Sequence, residues 1–270
     1  MTRASPGMTT LILAISCGWL AAVPAAAQGM PDIVGLKPGM TLQEAFDRLK
    51  AHNRIAKVEV GRMLYPDLGP EPIPYAVVLG QEGDLSADLI EADVTLPPGK
   101  PVVWRVVRTL RFPQGQEQPI TNLMAALREK YGPESFVVKS NIPTPNWFFD
   151  EKGKVVADTG GLSFSTCAMG GIPPINAGIL NGGVAPLQIN LIQPLRQTGT
   201  NMDLCRALVT VRAVIQPGTD PRLAIVMSVS ITDGPLEARA REATVDFLAH
   251  AAAARKQALE SAAPPPKPKL

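Results

Sequence analysis

Aromatic side chains are scarce in this chain, 5% of 270 residues, and charged ones are few at 19%. It holds two histidines, His52 and His250, and three cysteines. The 26 basic and 24 acidic residues leave a net charge of +2, with no block of like sign in the body of the chain. Nucleic-acid binding draws on a basic stripe to neutralise phosphates, and single-strand binders add stacking aromatics; neither pattern is present. So few His and Cys exclude most transition-metal sites. No apolar run beyond residue 27 reaches the roughly 20 residues of a membrane-spanning helix. What is abundant is proline, 27 residues, and glycine, 23, within a chain that is 46% hydrophobic. That mixture supports a packed core built from short elements and many turns, and excludes wholesale disorder.

The first 27 residues read as an address. One charge, Arg3, precedes the apolar run Leu11 to Val23, and Pro24 leads into Ala25-Ala26-Ala27 before Gln28. A basic start, an apolar stretch and an A-x-A site predict a signal peptide over 1–27, cleaved after Ala27. Ala14-Ile15-Ser16-Cys17 loosely resembles a bacterial lipobox without its Leu, so a lipid anchor at Cys17 is the lesser alternative. The chain from Gln28 onward is then expected to be soluble in the periplasm or secreted, with no transmembrane span. Export leaves Cys167 and Cys205, an even count in an oxidising compartment, which predicts a disulfide between them. Closing a loop of that length is worth about 4 kcal/mol in the chain-entropy model. Their spacing is not C-x-x-C, so redox catalysis by the pair is not expected.

Two helices and several hairpins follow from spacing. Thr41-Leu42-Gln43-Glu44 has the S/T-x-x-E form of a capping box, with Leu42, Ala45, Phe46 and Leu49 on one helical face ending near Asn53. Leu123, Leu127 and Tyr131 predict a second helix over 121–131, stopped by Gly132-Pro133. The first helix superimposes on the second at an offset of 78, matching Leu42 with Ile120, Phe46 with Met124 and Leu49 with Leu127; this hints at a duplicated helix-plus-sheet unit. Strand alternation predicts a hairpin around Pro97-Pro98-Gly99-Lys100-Pro101. Pairing Asp93 with Arg105 there sets Ala92 opposite Val106 and Val94 opposite Trp104. Arg108 then lies among the apolar set of its strand, with Trp104, Val106 and Leu110, near Asp88. A second hairpin is expected over 147–156 with Gly153 in its turn, and a third joins 208–215 to 223–231. Pro235 opens a long terminal helix whose buried stripe would be Leu236, Ala240, Ala243, Phe247, Leu248 and Ala251. The expected class is α+β: antiparallel sheet built from hairpins, helices on one face, and a long C-terminal helix. The expected division is 28–115, a first α+β unit; 116–262, a second; and 263–270, a disordered Pro/Lys-rich tail.

No motif carries chemistry outright. Gly161-Leu162-Ser163-Phe164-Ser165 lacks the closing glycine of a nucleophile elbow, and no P-loop or dinucleotide fingerprint occurs. Asp84, Asp88, Glu91 and Asp93 lack the loop spacing of a calcium site, and Glu91 and Asp93 read as half of an ion-pair ladder with the next strand. Neither His52 nor His250 has a partner at ligand spacing. Two features remain. Arg108 on an apolar face needs a carboxylate, and Asp88 is the nearest, which gives either a structural ion pair or an anion contact. The uncharged stretch 168–187, with Met169, Ile172, Ile175, Ile179 and Leu180, is a candidate interaction loop, packed on the body or covering a partner.

Gly35-Leu36, Gly39-Met40-Thr41-Leu42-Gln43-Glu44-Ala45 and Leu49 resemble a start found in exported proteobacterial proteins. These include the outer-membrane-assembly lipoproteins of the SmpA/OmlA type and the fold shared with β-lactamase-inhibitory protein. The resemblance implies a helix pair packed on an antiparallel sheet and action by binding other proteins. The expected function is therefore an exported periplasmic binding or protein-interaction module with a protein partner in the cell envelope, no cofactor and no metal. An envelope-assembly or structural role at the outer membrane is the alternative, and an enzyme whose site converges only in the fold comes after it.

Overall fold

The computed structural model describes residues 29–64, 71–80, 87–138, 142–156, 175, 179–180 and 207–261. Their elements are α1 (Leu42–His52), β1 (Lys57–Met63), β2 (Ile73–Gly80), β3 (Asp88–Val94), β4 (Val103–Arg111), β5 (Gln118–Pro119), α2 (Ile120–Tyr131), β6 (Phe136–Val138), β7 (Thr144–Phe149), β8 (Val209–Pro217), β9 (Leu223–Asp233) and α3 (Gly234–Ser261). Nine antiparallel strands form one sheet in the order β1-β2-β3-β4-β9-β8-β7-β6, with the short β5 pairing β9 beside it. The α+β reading holds. Each half of the chain runs helix, then a four-strand meander, and the two meanders join where β4 pairs β9. The two expected units are thus halves of one continuous sheet.

The local signals explain the helices. The Thr41 hydroxyl accepts the Glu44 N–H at 3.2 Å and the Glu44 carboxylate accepts the Thr41 N–H at 2.7 Å, closing the capping box of α1. Gly132, at φ 82°, ends α2, and its carbonyl accepts the Trp147 indole N–H at 2.8 Å. That bond and the Tyr131–Trp147 ring contact fasten the end of α2 to β7. Ala45, Leu49, Leu127 and Tyr131 bury themselves with Val77, Ile90, Val106, Trp147, Val211 and Ile231, so α1 and α2 share one face of the sheet.

Two expectations need correction. The hairpin of β3 and β4 keeps Asp93 opposite Arg105 and Ala92 opposite Val106, but a β-bulge sets Val94 opposite Val103. Trp104 is the extra residue; Val103 takes the place facing the helices, and Trp104 goes to the opposite side under α3. The hairpin expected over 147–156 is present, with Gly153 at φ 77° in its tight turn and a Phe149–Val155 bridge on the edge of β7 opposite β8. A Cβ at Gly153 would also lie 2.7 Å from the Gly29 carbonyl group. Gly153→Ala is therefore expected to cost about 1–2 kcal/mol, read as a lowered denaturant midpoint at unchanged slope.

The stripe predicted for α3 is also rotated. Thr244 is buried, whereas Phe247 is 39% exposed and Ala243 is exposed as well. The Thr244 hydroxyl donates to the Pro97 carbonyl at 2.7 Å and lies 2.9 Å from that of Ala240, which turns this side of the helix to the β3–β4 hairpin. A hydroxyl contact outweighed the apolar periodicity. Thr244→Val keeps the shape and removes the donor, so it is expected to cost about 1–2 kcal/mol in thermal or denaturant melts.

Candidate functional site

Two places in the sheet bring polar or apolar groups together without a helix-packing reason. The first lies on the face that carries α1 and α2. Arg108, opposite Ile90 in the register, donates from Nε to Asp88 Oδ1 at 2.8 Å and from Nη2 to Oδ2 at 2.9 Å. His52, at the end of α1, places Nε2 3.3 Å from Asp88 Oδ2. The three side chains are about a quarter exposed, at 24–27%. Burial works to raise the Asp88 carboxyl, yet the hydrogen bonds and charge of Arg108, with His52 adding to them, outweigh it and hold the carboxyl below its ordinary value. The Arg108–Asp88 pair was visible from strand alternation. His52 was not, because it lies 36 residues from Asp88 and only the docking of α1 over the sheet brings it there.

The second place is the opposite face. A sheet with helices on one side usually turns alternate polar side chains to water on the other. Here Met63, Tyr75, Ala76, Val78, Leu89 and Leu96 form a buried cluster on that side of β1–β3, and Ile179 and Leu180 belong to it. Ile175 packs against its edge. Gly61 opens the notch that Ile179 occupies: a Cβ on Gly61 would lie 2.6 Å from Ile179 Cδ1 and 3.1 Å from the Tyr75 ring. Lys57 Nζ donates to the Leu180 carbonyl at 2.5 Å. Leu180 is 1% exposed and Ile179 3%. Of the candidate interaction loop, Met169 and Ile172 lie outside the described residues, as do both members of the expected Cys167–Cys205 disulfide.

Beside the apolar cluster, the same face continues into buried charge. Asp93 and Arg105 pair at 2.5 Å, and Arg105 also stacks on the Trp104 ring at 5.1 Å to its centroid. Burial works to lower the Arg105 guanidinium, but Asp93 outweighs it, with help from Glu91 and Glu237, and its pKa stands above the ordinary value. Glu237 in turn pairs with Arg241 across one turn of α3. Trp104, Glu237, Arg241 and Thr244 enclose a hollow of about 20 Å³, room for about one water. This cluster is structural in size and satisfaction.

No family model, curated protein or solved structure matches this chain. Among the described residues, no group of three or more His, Cys, Asp or Glu is placed to hold a metal ion. No helix among them is long and apolar enough to cross a membrane. His250 is exposed, with Nδ1 2.7 Å from the Asp246 carbonyl of its own helix.

The sequence reading missed Gly61, Lys57 and Tyr75. A signal existed: Tyr75-Ala76-Val77-Val78-Leu79 is an unbroken apolar run, the pattern of a strand buried on both faces.

Proposed function

We propose that this protein is an exported binding module of the cell envelope, acting by docking a protein partner. The observation that carries the reading is the apolar cluster on the face of β1–β3 opposite α1 and α2. These aliphatic and aromatic side chains lie away from α1 and α2 and are buried together with the chain's own Ile179 and Leu180, the kind of apolar contact that a partner's side chains make. The signal-type N terminus and the binding role implied by the resemblance at Gly35 to Leu49 agree with it.

Two measurements test the two halves of the proposal. The intact mass of the exported protein is expected to correspond to a chain beginning at Gln28; retention of residues 1–27, or a diacylglyceryl adduct at Cys17, would defeat it. A photo-crosslinking amino acid at Ile73, a half-buried residue packed against the cluster, is expected to trap a reproducible envelope protein. The same group at Gln43, exposed on α1, is the control. Equal trapping from both sides, or none, would remove the face opposite α1 and α2 as the docking surface.

A further inference from the structure

We infer that the hollow between α1 and the turn that precedes it is a binding site for a small zwitterion of the amino-acid type, its carboxylate held by Arg48 and Lys37 and its ammonium by Asp47 and Glu44. The site lies on α1, away from the apolar cluster of β1–β3. It goes beyond the binding reading above and does not depend on a protein partner.

The walls follow from the sequence. Glu44, Asp47, Arg48 and Ala51 recur at i, i+3, i+4 and i+7, which puts them on one side of α1. Gly35, Lys37 and Met40 line the same hollow from the turn, and its volume is about 530 Å³, within the roughly 300–1,000 Å³ of small-molecule sites. The turn is held tightly. Ile33 and Leu36 exchange N–H···O bonds at 2.9 and 2.8 Å, and Asp32 Oδ1 accepts the Gly35 N–H at 2.7 Å. Gly35 stands at φ 81° and leaves free the space that the Arg48 guanidinium takes up: a Cβ there would lie 2.6 Å from Arg48 Cζ. The guanidinium thus rests against backbone fixed by three hydrogen bonds, and it has less freedom to lose when an anion arrives.

Charge decides the ligand. Among the described residues, neither the Arg48 guanidinium nor the Lys37 ammonium makes a hydrogen bond or an ion pair. Two unengaged cations on one hollow suit a carboxylate, which a guanidinium fork takes with two prongs. The same lining carries Glu44 and Asp47, each with one oxygen engaged. Glu44 Oε2 accepts the Thr41 N–H at 2.7 Å and its hydroxyl at 2.8 Å, and Asp47 Oδ1 accepts from Gln43 Nε2 at 2.9 Å. Glu44 Oε1 and Asp47 Oδ2 accept no hydrogen bond among the described residues. The bonds from the Thr41 backbone and hydroxyl, with the Lys37 charge adding to them, hold the Glu44 carboxyl below its ordinary value, so it is ionised at neutral pH. Phosphate, or any dianion, would meet both carboxylates and be repelled. A ligand with one charge of each sign satisfies both pairs, and Met40 and Ala51 give its aliphatic body an apolar lining.

The test titrates the full chain with L-leucine and with two analogues that each lack one charge, 4-methylpentanoate and 3-methylbutylamine, read by ligand-observed NMR. L-Leucine is expected to bind at least tenfold more tightly than either analogue, and more tightly than inorganic phosphate. Arg48→Gln is expected to weaken L-leucine at least tenfold and to leave the melting curve where it is, since Arg48 is exposed. Asp47→Asn is expected to weaken L-leucine severalfold but not 4-methylpentanoate, a contrast that a loss of structure would not produce. Phosphate or 4-methylpentanoate binding as tightly as L-leucine overturns the zwitterion and leaves a plain anion site. L-Leucine binding that survives Arg48→Gln overturns the site itself, as does no binding of L-leucine at about 10 mM. The ligand series on the wild type decides between these outcomes even where a variant fails to fold.

Discussion

Arg105→Met is expected to destabilise the protein by about 3–5 kcal/mol at neutral pH. Arg105 faces Asp93 directly, with Glu91 and Glu237 close enough to act on it by charge. Asp93 and Glu91 are buried, at 5% and 4% exposure. Methionine fills much of the space of the arginine stem but leaves these carboxylates facing one another in a poorly solvated place. Their protonation in the folded variant is then favoured over the unfolded chain, so the deficit is expected to shrink as pH falls from 7 toward 4. Chemical denaturation across that range checks it. The double variant Arg105→Met with Asp93→Leu is expected to recover part of the loss, because it removes the carboxylate bonded to Arg105 while Glu91 stays buried. A deficit independent of pH, or no recovery in the double variant, would show that packing against Trp104 is what Arg105 supplies.

How much of this was legible in the sequence depends on the range over which each signal acts. The capping box at Thr41 and Glu44, the stop at Gly132 and the Asp93–Arg105 register are decided within one helix turn or one hairpin, and they are where spacing placed them. The repeated order of helix and four strands agrees with the offset that matches Leu49 to Leu127, since both bury the same side of the sheet. The failures lie where a distant element decides. Alternation put Trp104 with Val106, but α3 provides its packing on the other face, and the bulge turns it there. The stripe of α3 was read from its apolar residues, although the Thr244 hydroxyl and the Pro97 carbonyl set its rotation. The apolar cluster at Gly61 required knowing that residues 179–180 cross from the far half of the sheet. No local pattern says where Ile179 and Leu180 land.

Asp88→Ala and Arg108→Ala are each expected to cost about 2–3 kcal/mol, and the double variant markedly less than their sum. Either single change strands one member of a two-pronged ion pair. Asp88→Ala leaves a guanidinium on the face where Val106, Ile90 and Val229 are core, and Arg108→Ala takes both prongs of the pair from the carboxylate, with His52 still beside it. The values fall below those for a fully buried pair because the side chains are about a quarter open to water. The pH dependence separates this pair from a packing effect. The Asp88 carboxyl is held below its ordinary value in the folded chain, so its stabilisation is complete above the unfolded carboxylate range near ~3.9. It is lost as pH falls through the depressed folded value. Asp88→Asn keeps the shape and cannot titrate, so its acid limb is expected to be flatter than that of the wild type. The difference between the two proteins is expected to close only in strong acid. Strictly additive single variants, or parallel acid limbs for wild type and Asp88→Asn, would mean that the two short contacts contribute nothing as a pair. The tether of α1 to the sheet would then rest on its apolar side chains, Ala45 and Leu49 foremost.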